Sequence, residues 1–367
     1  MKINVSLVIC NILLWGIYQP LFAQYTIATL DSNNFILGEG VVLSKTSFRG
    51  LSVVNDKTIW VSGSRGTIAM SNDSGKTFHF SQLTNYAKSD FRDVEAFDAN
   101  NAIIMSSGTP ALILKTTDGG RNWKEVFRKD DSSYFLDAMD FWDSKKGIIV
   151  GDPIHGHFVL LQTNDGGDTW QEVDTTRTPI AIDGEAVFAA SGTSLRCWGK
   201  NSFGFVTGGA VSRFIVSSKK LKHIKYIKLK MMQGENSRGT FSFAKSKQLW
   251  LFAGGDYVND TQITDANFYY CHDWKQNEHC SILGIENLNG YKSCIEVIND
   301  EKNVMGSPFI IATGTSGTQI GKRVCSYVDT HFSYTNFTSQ FHVVRKAKLG
   351  KSVYLAGPKG KIGKLIY

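Results

Sequence analysis

The sequence predicts an all-β fold of repeated four-stranded units, and three observations predict it. Near-copies of one octapeptide stand at Ser71–Phe78, Thr116–Trp123 and Thr163–Trp170, starting 45 and 47 residues apart. Self-similarity at such a period marks a repeat architecture. Each copy follows three short apolar runs bounded by Gly, Asp and Asn, the pattern of strands joined by tight turns. Finally, 35 Gly against only 6 Pro, with 12% aromatic residues, suit many short strands with large apolar plugs between them.

The chain opens on a leader. Lys2 precedes an apolar run from Val5 through Ala23, and Leu21-Phe22-Ala23 forms a small-residue exit before Gln24. This is the pattern of a signal peptide over residues 1–23, with a secreted or periplasmic mature chain. The run is short for a membrane anchor and is broken by Asn11 and Pro20. One domain, residues 24–367, is expected to follow.

The octapeptide reads S/T-x-D-x-G-x-T/N-W/F. Asp73, Asp118 and Asp165 are placed to accept backbone N–H groups just downstream and close a turn. Gly75, Gly120 and Gly167 supply the positive φ such a turn needs, and Trp123 and Trp170 close their copies as apolar plugs. The motif resembles the Asp-box, or BNR repeat, of sialidase-type β-propellers. That resemblance places it on the hairpin between the third and fourth strands of a blade, remote from any active face, as a structural marker.

The units follow in order. The first runs Phe48–Val53, Ile59–Gly63 and Gly66–Met70; the second Phe91–Val94, Ala102–Met105 and Leu112–Leu114; the third Phe135–Met139, Gly147–Pro153 and Phe158–Leu161. Four more lack a good box. Their first two strands are read at Gly184–Phe188 with Phe205–Gly209, Gly239–Phe243 with Leu251–Tyr257, Tyr291–Ile295 with Ile310–Gly314, and Phe341–Val344 with Val353–Gly357. Cys271-His272-Asp273 occupies the position of a fifth-unit box. The last unit runs out after Lys361–Ile366, so its fourth strand is assigned to Tyr25–Leu30, closing a seven-bladed β-propeller and removing an exposed sheet edge.

The whole pattern resembles the photosystem II stability/assembly factor-like family of such propellers. Arg49-Gly50-Leu51, Gly66-Thr67-Ile68 before the first box and the closing stretch Gly357–Leu365 carry the likeness. It implies a non-enzymatic binding, scaffold or assembly role. The leader does not have the Arg- and Ser-rich character of a transit peptide, so the photosystem client is not carried over.

In a propeller, the start of each innermost strand and the loop after each second strand open on one face. The starts collect Arg49, Arg92, Leu136, Glu185, Gly239, Lys292 and His342. The loops add Arg65, Thr109, Asp152–His155, Asp256-Tyr257, Thr315-Ser316 and Lys359. Arginine forks match carboxylates and phosphates, so this face is expected to bind a protein or glycan partner. The binding set is Arg49, Arg65, Arg92, Asp152, His155, Glu185, Asp256, Tyr257, Lys292 and His342.

The alternative is a sialidase-like glycoside hydrolase acting on extracellular glycans, with Glu185, Asp152 and Tyr257 as catalytic groups. Against it, the Arg-Ile-Pro signature and a third matching arginine are absent. No cofactor or metal is expected: Cys271-His272 and His279-Cys280 lack the C-x2-C pairing of zinc sites. Cys271 and Cys280 are either a disulfide across a hairpin or buried thiols, and Cys10 leaves with the leader. The net charge of +7 permits anionic contacts without implying nucleic acid. The basic run Lys219–Lys230 is either edge protection or a patch for an anionic surface.

Overall fold

The computed structural model describes residues 25–218, 221–246, 249–263, 268–272, 288–298, 309–325 and 330–367. Among these, seven antiparallel sheets form the blades. Blade 1 runs Phe48–Val53, Ile59–Gly63, Thr67–Ser71 and Phe78–Gln82 from inside to outside. Blade 2 runs Phe91–Ala96, Ala102–Ser106, Ala111–Thr116 and Lys124–Lys129. Blade 3 follows with Leu136–Phe141, Gly147–Ile154, His157–Thr163 and Gln171–Glu172. Blade 4 comprises Leu195–Trp198, Ser202–Val206, Arg213–Ser218 and His223–Lys228.

Blade 5 contains Glu235–Lys245, Leu249–Asp256 and Phe268–His272. Blade 6 contains Cys294–Ile298, Phe309–Gly314, Gly317–Cys325 and Thr330–Phe337. Blade 7 is completed across the termini: Val343–Lys346, Val353–Ala356 and Ile362–Ile366 are joined by Thr26–Thr29, paired antiparallel with the last of them. The chain then does something the sequence pattern did not suggest. Phe35–Leu37 adds to the outside of blade 1 as a parallel strand on Phe78–Phe80, covering that edge.

The core lies in the seams between blades. One apolar cluster joins Trp60 and Ile68 of blade 1 to Phe91, Ile104 and Leu114 of blade 2. The next joins Ile103 and Ile113 to Leu136, Ile149 and Trp170. A large cluster runs from Phe309 and Ile311 through Val343 and Tyr354 to Phe48 and Val61, closing the ring. Because each strand presents alternate residues to its two neighbours, every blade is buried on both faces.

Blade 4 departs from the expected layout. Its innermost strand is Leu195–Trp198, hairpinned onto Ser202–Val206, and not Gly184–Phe188. The physical reason is loop length: Gly199-Lys200-Asn201 joins neighbouring strands directly, while the earlier apolar stretch is free to do something else. Glu185-Ala186 pairs instead with Gly208-Gly209, two short strands added to the inner edge of blade 5.

The three octapeptides share one hydrogen-bond network. In the second, Thr116 Oγ1 donates to Asp118 Oδ1 (2.9 Å) and accepts from Gly120 N (3.0 Å), while Asp118 Oδ1 accepts from Asn122 N (2.9 Å). Ser71 with Asp73, and Thr163 with Asp165, repeat it. Gly75, Gly120 and Gly167 have φ of 76°, 84° and 81°. Each hairpin packs against the second strand of the preceding blade. A Cβ on Gly75 would lie 2.9 Å from the Tyr354 ring, and one on Gly120 would lie 3.3 Å from Trp60. Cys280, Asp273 and the side chain of Cys271 lie outside the described residues, as do Lys219 and Lys220; Cys197 and Cys294 are free thiols.

Candidate functional site

Residues 186–194 lie on the propeller axis. Val187 N donates to Asp152 Oδ1 of blade 3 (3.0 Å), and Phe188 stacks on Phe241 of blade 5 at 3.9 Å. Ala190 O accepts from Arg49 of blade 1 (3.2 Å), and Ser191 Oγ donates to Ser293 O of blade 6 (2.8 Å). Gly192 O accepts from Arg345 of blade 7 (3.4 Å), its Cα sits against the Asp93 carboxylate of blade 2, and Thr193 Oγ1 donates to Ser242 Oγ (2.6 Å). A segment that touches six other blades has to run through their centre. The run Ala189-Ala190-Ser191-Gly192-Thr193-Ser194 is the sequence signal of this plug: only small side chains fit so narrow a passage.

Above the plug, bulges in the innermost strands set the side chains that surround it. The register shifts between Phe48 and Gly50, Phe91 and Asp93, Leu136 and Ala138, and Thr240 and Ser242. The extra residues are Arg49, Arg92, Asp137 and Phe241. Bulges re-aim a side chain out of the ladder, here toward the axis. Counted from the closing glycines of the second strands, Ser293 and His342 hold the equivalent positions in blades 6 and 7. The ring therefore contains Asp137, Phe241 and Ser293 where the sequence pattern placed Leu136, Gly239 and Lys292. The shift is one residue at Leu136 and Lys292 and two at Gly239; in blades 3 and 5 it includes a bulge, which no spacing rule shows.

Three of the expected residues come together. Burial and the neighbouring Arg92 push Arg49 below its ordinary pKa. Arg92 Nε donates to Asp90 Oδ2 at 2.8 Å, and the other oxygen of Asp90 is buried without a partner. His342 is held to about 3 by burial, then by Arg49 and Arg92, so it stays neutral at physiological pH. Asp137, beside Arg92, is pushed well up by burial and by Asp152. Beside the arginines lies an aromatic group: Phe241 and Tyr291 meet edge-on at 4.8 Å, and the half-exposed ring of Tyr257 packs edge-on against Phe188, Phe241 and Tyr291.

The other expected residues serve the scaffold. Glu185 is buried, bonded by Arg213 through both oxygens and by Thr207 Oγ1 (2.6 Å), and sits on the short strand added to the inner edge of blade 5, not on the innermost strand of blade 4. Asp256 accepts from Arg238 (3.0 Å) and from Val258 N and Asn259. Lys292 is fully buried, donates to Asn289 O and Ser316 Oγ, and is lowered to about 7 by burial. Asp152 is raised to about 6 by burial. Arg65 and His155 are the first residues of two-residue turns: φ is 62° and 64° at Arg65-Gly66, and 51° and 78° at His155-Gly156, the type I′ geometry that matches strand twist. Among the described residues no three His, Cys, Asp or Glu are grouped to hold a metal, and no helix is long and apolar enough to cross a membrane.

Residues 96–180 match a family model described as "Photosynthesis system II assembly factor YCF48". No curated protein sequence matches. Among solved structures, "YCF48 bound to D1 peptide" is 12% identical, with a TM-score of 0.61 over 94% of this chain and 98% of that one. "YCF48 from Cyanidioschyzon merolae" is 11% identical, with a TM-score of 0.55 over 92% and 98%. The WD40 domain of Neurospora crassa Pan2 is also 11% identical, at 0.54 over 87% and 88%. At these identities the likeness is one of fold. The chain is a β-propeller that resembles the photosystem II assembly factor-like BNR family.

Proposed function

We propose that this chain is an exported, non-enzymatic propeller that holds a protein partner at the face above its plugged channel, in the manner of an assembly factor. The observation that carries the proposal is the pair Arg49 and Arg92 on adjacent blades, with Asp90 bonded to Arg92 and an aromatic wall beside them. Two guanidiniums beside apolar rings suit a carboxylate-bearing, partly apolar peptide segment. A fold relative solved as "YCF48 bound to D1 peptide" is a propeller that holds a peptide, which supports a polypeptide partner here.

The hydrolase alternative asks Glu185, Asp152 and Tyr257 to surround one bond. Glu185 already has both oxygens committed to Arg213, and Asp152 anchors the plug. The exposed lysines of the outer strand of blade 4, Lys225 and Lys228, are read as edge protection. The test is capture of partners from the exported fraction by the mature chain, alongside turnover of fluorogenic sialosides and other glycosides. Arg49→Lys and Arg92→Lys lose the fork geometry and are expected to weaken capture at least tenfold. Turnover that vanishes in Glu185→Gln or Tyr257→Phe would sink the binding reading.

A further inference from the structure

The third-to-fourth strand connections of blades 1 to 3 all fill the seam to the preceding blade. Tyr354 Oη reaches Ser74 O at 2.6 Å in the first, and Trp60 lies under Gly120 and edge-on to Trp123 (6.3 Å) in the second. In blade 4 the strands Arg213–Ser218 and His223–Lys228 are joined by only four residues, and no octapeptide stands there. Among the described residues, the seam between blades 3 and 4 has a cavity of about 190 Å³.

Its apolar wall is made by Trp142, Phe203 and Leu221. Trp142 is fixed: its Nε1 donates to Ser202 O at 2.7 Å, and its ring meets Phe203 edge-on at 6.0 Å. Its remaining ring surface is turned to the cavity. The polar wall carries two cations, Lys146 and Arg177, and the amides of Gln162, Asn164 and Asn201; among the described residues no carboxylate lines it, with Asp143 near Lys146 and Asp174 near Arg177 outside the lining.

These groups divide into three chemistries. Cations match an anionic head, and Arg matches a planar carboxylate best. Amides both donate and accept, as hydroxyl groups require. A tryptophan face offers apolar contact to a C–H surface. The volume is below that of a drug-sized pocket and suits one small ring. We propose that the seam between blades 3 and 4 is a binding site for a hexuronic acid or a similar polyhydroxylated carboxylate, distinct from the central arginine face. The ring lies on Trp142, the amides take its hydroxyls, and Arg177 with Lys146 takes the carboxylate.

The test is calorimetric titration of the full mature chain with glucuronate, galacturonate, glucose and acetate. Saturable binding of at least one uronate is expected, at least tenfold tighter than glucose and than acetate. Lys146→Ala with Arg177→Ala, both at exposed positions, is expected to weaken it at least tenfold while leaving the melting curve unchanged. Arg49→Lys is expected to leave it unchanged, which keeps this site separable from the partner face. The proposal is overturned by no saturable uronate binding, by acetate or glucose binding equally well, by indifference to the double substitution, or by loss on Arg49→Lys alone. If the double variant melts early, Gln162→Ala replaces it, with the same threshold of weakening on one side and indifference on the other.

Discussion

Thr116 does three things with one hydroxyl, and none involves a ligand. It donates to Asp118 and accepts from the N–H groups of Gly120 and Asp118 in a turn that is otherwise shielded. Thr116→Val keeps the shape and removes the acceptor, leaving the half-buried N–H groups of Gly120 and Asp118 without it. The expected cost is about 1–3 kcal/mol, read by denaturant unfolding, with partner capture unchanged. Two other side chains give opposite pH responses. His342, lowered to about 3, binds fewer protons folded than unfolded, so it makes stability rise with pH between about 3 and 6.5. Asp152, raised to about 6, binds more protons folded and makes stability fall between about 4 and 6. Over pH 4 to 6, His342→Gln should therefore flatten the upward slope of stability with pH. Asp152→Asn, which keeps its acceptor for Val187 N, should steepen it. Parallel curves for wild type and both variants would contradict these assignments.

At the scale of elements, the bulges and the plug decide what the central face presents. A sequence pattern locates a strand to within a residue or two, but a bulge moves the axis-facing position by one. At Arg49, Arg92 and His342 the start read from the pattern coincides with the axis-facing position, whereas Asp137 and Ser293 lie one residue beyond it and Phe241 two. The plug was misread for a related reason. Gly184–Phe188 has the apolar character of a strand start, yet Phe188 packs into an aromatic group on the axis. Gly192 has φ of 66° and no room for a Cβ beside Asp93. Gly192→Ala should cost more than about 1 kcal/mol of stability through strain and that clash. It should also loosen Arg49, whose guanidinium rests on Ala190 O, and so weaken capture. A fully stable Gly192→Ala protein would mean that the plug is not packed as described.

For the whole molecule, stability depends on closing the ring. Thr26–Thr29 completes blade 7, and Tyr25, Ile27 and Leu30 pack on the cluster that joins blades 6, 7 and 1. Deleting Tyr25–Leu30 should bare the edge of Ile362–Ile366 and remove part of that seam. Aggregation or a clear fall in melting temperature is expected, by light scattering and calorimetry. A monomeric deletion variant with an unchanged melting temperature would show the ring closed without it. The exported state is a separate expectation, checked by finding a mature N-terminus near Gln24.

By itself the sequence determined the repeat, its period, the hairpin chemistry of Asp73, Asp118 and Asp165, and the seven units. These follow from short-range patterning: alternation along strands, turn residues at set offsets, and one motif repeated in register. Only the tertiary structure decided which stretch became the innermost strand of blade 4, that Ala189–Ser194 fills the channel, and that Glu185 pairs with Arg213 instead of facing a ligand. It also left the seam between blades 3 and 4 open. Each of these depends on side chains from blades far apart in sequence meeting at the axis or across a seam, where the space available is set by all the neighbours together and not by any local run of residues.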